Sequence, residues 1–380
     1  MKFPSLEELK ARGTRKWTVY PEDVLPLWIA ESDFPTAPAV KAKIQQCVDN
    51  ESFGYTPATS NLPTAMADFY ERRYGWRPDP ARIIPIPDVV RGMLLGIEYF
   101  TRPDSAVVVP TPIYPPFLAL PETAGREKIE IEGRGGLDLS EVEEAFKAGA
   151  GSILIANPTN PLGYTFSRET LIALTDLASR YDARVIVDEI HAPLVLDGEH
   201  VVAAGVSETA ARVCFSITAL SKAWNVAGLK CAQLYLTNDD DVAVWESLTG
   251  VAKDGTGTLG VFAAEACYQD ESGFLDEEIA YLRSTRDWLA DAVEAAVPGL
   301  RATRGQATYL MWLDFTDTAI GDVDQPAAWL VEHAKVALNE GTDFGEAGRG
   351  HVRLNFATSR EILAEAVRRI GDAVAAASNS

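Results

Sequence analysis

An α/β domain with a mainly parallel sheet, followed by a smaller α+β unit, is the fold this sequence predicts, and three observations carry it. From about residue 84, short apolar runs alternate with longer amphipathic stretches. The runs are rich in β-branched residues and apolar throughout, the pattern of strands covered on both faces. After about residue 275 the pattern changes to a long helical stretch and two strands whose residues alternate.

Taken in order, the N-terminal 45 residues are proline-rich around PLWIAESDFPTAP and hold no obvious core of their own. They are expected to pack on the smaller unit or on a partner subunit. Strands are expected at 106–110 (AVVVP), 152–158 (SILIANP), 184–190 (RVIVDEI), 213–219 (VCFSITA) and 231–237 (CAQLYLT). Between them, 167–182 reads as a helix opened by Ser167, with Glu169 and Thr170 in the first turn. The second unit consists of a helix over 276–297, strands over 307–315 and 351–357, and a last helix around 360–377. The organisation expected is an N-terminal segment, 1–45, a large domain, 46–280, and a small C-terminal domain, 281–380. A chain of 380 residues exceeds what one hydrophobic core usually organises.

Composition narrows the function classes. Thirty-four basic against 55 acidic residues give a net charge of −21, which repels phosphate backbones and anionic membrane faces. No nucleic-acid or membrane partner is therefore expected. The sequence contains no apolar run long enough to span a bilayer, and MKFPSLEELKARG lacks the apolar centre of a signal peptide. A cytoplasmic protein is expected. Cys47, Cys214, Cys231 and Cys267 stand apart without C-x-x-C spacing, the four histidines form no H-E-x-x-H, and no metal site is expected. The sequence also lacks a G-x-G-x-x-G, a P-loop and a G-x-S-x-G elbow.

Ligands of open α/β sheets bind at the carboxyl ends of the strands, and every predicted strand delivers polar residues there. Asn157-Pro158-Thr159-Asn160-Pro161-Leu162-Gly163 follows SILIA, Asp188, Glu189 and His191 follow RVIV, and Ser221 and Lys222 follow VCFSITA, with Lys230 eight residues on. The ordered set N-P-x-N-P-x-G, D-E-x-H and S-K-x-x-N-x-x-G-L-K resembles the large-domain signature of pyridoxal-phosphate (PLP) enzymes of the aspartate-aminotransferase fold. Within them it is most similar to the MalY/PatB-type cystathionine β-lyases, or cysteine-S-conjugate C–S lyases. The likeness runs from PLWIAESDF through FGYTP, PTPIYPPF, NPTNPLG, VDEIH and SKAWNVAGLK to GHVRLNFATS.

The resemblance implies fold type I, with a seven-stranded large-domain sheet and PLP as cofactor. Lys222 takes the place of the lysine that holds the cofactor aldehyde, is displaced by substrate and removes the Cα proton. Asp188 matches the carboxylate that keeps the pyridine nitrogen protonated, Asn160 the partner of the phenolic oxygen, and Tyr114 the aromatic on the ring face. His191 stands where many aminotransferases carry tyrosine, and two readings stay open for it: orienting the cofactor, or a satisfied core histidine. The phosphate is assigned to the backbone amides of Val90 and Arg91, to Lys230, and to Tyr55 of a neighbouring subunit. Aminotransferases often carry Arg at the Lys230 position and a hydroxyl at that of Ala219; Thr218 or Ser221 substitutes for the latter. Arg353 matches the arginine that clamps the substrate carboxylate, with Ala30, Tyr55 and Asn160 beside the substrate.

A C–S β-lyase acting on L-cystathionine or related cysteine S-conjugates is thus the first expectation. It would release pyruvate, ammonia and a thiol; from cystathionine the thiol is homocysteine, a link to methionine biosynthesis. An aminotransferase is the alternative, sharing the chemistry as far as the carbanion. A regulatory role without turnover is the third reading. The same resemblance implies a homodimer with its active sites at the subunit boundary.

Overall fold

The structure, a computed structural model, describes residues 3–378. Two short helices, Leu6–Ala11 and Arg15–Thr18, open it, and helix α1 (Pro38–Asp49) follows. The large sheet has seven strands: β1 (Ile83–Ile86), β2 (Val107–Thr111), β3 (Lys128–Glu132), β4 (Ser152–Ala156), β5 (Arg184–Asp188), β6 (Cys214–Thr218) and β7 (Ala232–Tyr235). Their spatial order is β1-β7-β6-β5-β4-β2-β3. The block from β3 to β6 is parallel, while β7 runs antiparallel to both β6 and β1.

The five predicted runs all form strands. Val107, Val108 and Val109 are fully buried, as are Ile153, Leu154, Val185, Ile186 and Val187, because helices cover both faces of a parallel sheet. β1 and β3 were not expected. β3, KIEIE, is one of the two edge strands, and its charged residues face solvent, so its outline shows alternation rather than an apolar run.

Helix α2 (Val89–Phe100) lies very close to this sheet. A Cβ on Gly92 would sit 2.6 Å from Ile86 Cδ1, and one on Gly96 2.9 Å from Phe215. This glycine pair, four residues apart on one helical face, lets α2 bring its N-terminus to the carboxyl end of the sheet. Helix α3 (Arg168–Arg180) is capped by Ser167, whose hydroxyl accepts from Thr170 N, as the sequence predicts.

Helices α4 (Thr258–Tyr268) and α5 (Phe274–Ala296) lead onward, and α5 runs through residues 280 and 281 without a break. Beyond it, β8 (Arg301–Ala302), β9 (Leu310–Asp314), β10 (Asn339–Glu340) and β11 (His351–Asn355) form an antiparallel sheet in the order β10-β11-β9-β8, closed by helix α6 (Arg360–Ala377). The N-terminal segment is divided between the two units: Leu25–Pro26 pairs with Val336–Ala337, whereas α1 packs on α4. Among the described residues, no helix is long and apolar enough to cross a membrane.

Candidate active site

The carboxyl ends of the parallel strands open into one cavity of about 300 Å³. Ala30, Val90, Tyr114, Asn160, Asp188, His191, Ser221, Lys222 and Lys230 line it together with Asp88. Residues from seven separate stretches of the chain therefore meet because the sheet order places β2, β4, β5 and β6 side by side with α2 above them.

Asp188 ends β5 and is 6% exposed. Its Oδ1 accepts from Ile190 N at 2.8 Å, and burial pushes its carboxyl up to about 7 against the pull of that hydrogen bond and of Lys222. The next residue, Glu189, faces the opposite side of the strand. There it accepts from Ala203 N at 2.9 Å and from the Tyr235 hydroxyl, with His200 Nε2 at 3.3 Å. Glu189 thus holds the layer behind the sheet and takes no part in the cavity wall.

Lys222 Nζ donates to the backbone carbonyl of Ala30 at 3.0 Å. Burial, then the nearby Arg353 guanidinium, bring its ammonium down to about 8, and Asp188 opposes that fall. The Ala30 carbonyl also accepts from the Tyr309 hydroxyl at 3.2 Å. Around it the 29–33 stretch is clamped from three directions. Asn355 Nδ2 donates to the carbonyls of Ile29 (2.6 Å) and Glu31 (2.8 Å), Asn225 exchanges two bonds with Ser32, and Lys16 pairs with Asp33 at 2.8 Å in full burial.

Arg353, in the middle of β11, is 3% exposed. It donates to Asn160 Oδ1 at 2.9 Å, Asn339 Oδ1 at 2.5 Å and the Trp28 carbonyl at 3.1 Å, and Nε is without a partner. None of the ion pairs among the described residues includes it. A buried guanidinium with no carboxylate against it costs solvation that an arriving carboxylate would restore; burial lowers it to about 10. The bond from Arg353 fixes the Asn160 amide with its oxygen toward the arginine, leaving the Nδ2 donor for another ligand.

His191 is 3% exposed, its ring meets that of Tyr309 edge-on at 5.9 Å, and its Nδ1 is unpartnered. Burial, with the charges of Lys222 and Arg353, lowers it to about 3, so the ring is neutral.

Several sequence-predicted residues stand elsewhere. Thr218 is buried, and its hydroxyl donates to the Glu189 carbonyl at 3.2 Å, which leaves Ser221 as the hydroxyl on the cavity wall. The Arg91 amide donates to Asp88 Oδ1 at 2.8 Å, and its side chain reaches the Ala252 carbonyl at 3.3 Å. Tyr55 is fully exposed on the loop before helix Leu62–Tyr74. Asp88, Tyr309 and Asn355 are not among the residues expected from the sequence, and Asn225 stands in the S-K-x-x-N motif with no role assigned to it there. Asn355 had a signal: it lies two residues after Arg353, on the same strand face.

Residues 22–370 match the family described as aminotransferase class I and II. A cystathionine beta-lyase of Corynebacterium glutamicum is 53% identical over 97% of this chain and 99% of its own length. The cystathionine beta-lyase PatB of Bacillus subtilis is 30% identical over 97% of this chain and 99% of its own. A solved structure from Corynebacterium diphtheriae, described as a PLP-dependent beta-cystathionase, superposes with a TM-score of 0.97 at 55% identity, covering 99% of both chains. The chain belongs to the class I and II aminotransferase family, in the company of its cystathionine β-lyases.

Proposed function

We propose that this protein is a PLP-dependent C–S β-lyase that cleaves L-cystathionine or related cysteine S-conjugates to pyruvate, ammonia and a thiol. The observation that carries the reading is the pairing of a buried carboxylate and a lysine of lowered basicity in one cavity, beside an arginine that no carboxylate engages. Identity of 53% to a cystathionine beta-lyase along nearly the whole chain favours elimination over transamination.

The residues fit PLP. Asp188 is a desolvated carboxylate suited to a protonated ring nitrogen, the free Asn160 amide donor suits the phenolic oxygen, and Tyr114 suits the ring face. Ser221 and Lys230 bring a hydroxyl and an ammonium to the phosphate end. When bound, the cofactor supplies an electron sink for the charge left at Cα.

The chain supplies the rest. Arg353 binds the α-carboxylate bidentately and sets the Cα–H bond toward Lys222. Lys222 Nζ, neutral in part near neutral pH because burial lowers it, takes the Cα proton, and the Ala30 carbonyl accepts from the ammonium so formed. The Cβ–S bond breaks with its electron pair on sulfur, the thiol leaves, and the three-carbon remainder hydrolyses to pyruvate and ammonia. From cystathionine the thiol is homocysteine, which connects the reaction to methionine biosynthesis. Four free cysteines, three of them buried, suit a reducing, cytoplasmic setting.

A homodimer is part of the same reading. Tyr55, Phe53 and Val251 are large apolar side chains left in solvent by a single chain, at 103%, 62% and 89% exposure. Tyr55 of one subunit is assigned to the phosphate end of the other's cavity.

Incubation of the PLP-loaded protein with L-cystathionine and no keto acid tests the reaction. Equal amounts of pyruvate and thiol are expected; conversion of the cofactor to its amine form, with turnover only after a keto acid is added, would make it an aminotransferase.

A further inference from the structure

The phosphate end of the cavity already carries an anion of the protein's own. Asp88 caps α2: its Oδ1 accepts from Arg91 N at 2.8 Å. Its Oδ2 accepts from Lys230 Nζ at 2.6 Å. A helix-opening amide and an ammonium, donors a phosphate would use here, are thus engaged together by one side chain. Burial pushes the Asp88 carboxyl up, but the bonds from Lys230 and Arg91 outweigh it and hold the group below its ordinary value. The same cavity is lined by His191, almost wholly buried with an unpartnered Nδ1, a second polar group turned to the cavity besides those that Asp88 engages.

The cap alone does not call for a charge, since Asn and Ser cap helices as well as Asp. Nor does Lys230 need Asp88 when a phosphate is bound. A phosphate dianion brought to the same donors as an ionised carboxylate meets its repulsion, which is stronger at a protein surface than in water.

We propose that Asp88 is a built-in competitor for the phosphate of the cofactor. Its carboxylate holds Lys230 and the Arg91 amide when no phosphate is bound and has to turn away when one arrives. It thereby weakens the affinity for the phosphorylated cofactor and hastens its release. This inference rests on reading the cavity as a PLP site.

The test measures equilibrium binding of PLP, and of pyridoxal, which lacks the phosphate, to the full-length protein stripped of cofactor. Wild type is compared with Asp88→Asn and Asp88→Ser, both of which keep the cap, and thermal melts check that each variant is folded. Both variants are expected to bind PLP about tenfold more tightly, with pyridoxal affinity unchanged and inorganic phosphate a stronger competitor. Unchanged or weaker PLP binding in the variants would overturn the proposal and make Asp88 an orienter of Lys230. An equal gain for pyridoxal would overturn it as well, because the effect would not lie at the phosphate. If wild type takes up no PLP at all, the reading of the cavity falls, and the proposal with it.

Discussion

Arg353 and Asn160, 193 residues apart, share a buried hydrogen bond of 2.9 Å between the guanidinium of the small unit and the amide oxygen in the loop after β4. The group assigned to the substrate carboxylate is thereby joined to the group assigned to the cofactor. A carboxylate that docks on Arg353 is placed against the ring by the same contact that aims the Asn160 donor.

Replacing the guanidinium fork should therefore act on binding more than on folding. Arg353→Lys keeps the charge but loses the bidentate geometry, and charge-assisted bonds contribute about 1.5–3 kcal/mol each. A loss of about 10- to 100-fold in kcat/KM for L-cystathionine is expected, mostly through KM, measured by thiol release at saturating PLP.

Asp188 predicts a pH dependence of stability in the protein stripped of cofactor. Its folded value, about 7, lies above the unfolded 3.8, so between these values the folded state binds more protons than the unfolded one. Stability then falls as pH rises through that window. Asp188→Asn removes this slope: relative to wild type, the variant should gain on the order of 2–4 kcal/mol between pH 4 and pH 7.5. Urea melts at the two pH values measure it, and a constant difference between the proteins would contradict the assignment.

The Lys16–Asp33 pair predicts a structural effect transmitted to the site. Both side chains are essentially fully buried, and removing one partner strands the other charge. Lys16→Met should destabilise the protein by about 3–5 kcal/mol. Because Lys16 also donates to the Glu31 carbonyl at 3.1 Å, the Ala30 carbonyl that receives Lys222 should loosen with it. Denaturant melts read the first effect, and a drop in kcat in the fraction still folded reads the second.

The assignment of Tyr55 to the opposite subunit predicts complementation. Tyr55→Ala and Lys222→Ala proteins, each nearly inactive alone, should regain part of the activity when unfolded together and refolded, since a hybrid dimer contains one site with neither change. Equilibrium sedimentation before and after mixing checks the dimer itself.

Much of the fold was legible because the central strands are covered on both faces, so Val107–Val109 or Val185–Val187 stand out as apolar runs. β3 was not, since its solvent-facing lysine and glutamates hide the strand pattern, and Leu25–Pro26 pairs with Val336–Ala337 over only two residues. Of the candidate site, the strand-end residues Asn160, Asp188 and Lys222 could be read in order along the chain. The clamp on residues 29–33 could not: Asn225 stands in a motif that does not say what it holds, and Asn355 and Lys16 are common residue types whose partners are backbone carbonyls or distant side chains. Asp88 was hidden for a different reason, because in sequence it looks like an ordinary helix cap, and its second role shows only where Lys230 folds against it.

Lys222 is the group to which the proposed elimination assigns the Cα proton. The most direct test of that role is the Lys222→Ala protein loaded with PLP and given L-cystathionine in deuterated water, beside wild type. Wild type is expected to yield pyruvate and thiol in equal amounts, while the variant still binds PLP and substrate but yields neither and leaves the substrate Cα undeuterated. Pyruvate formation by the variant at a rate near that of wild type would contradict that role.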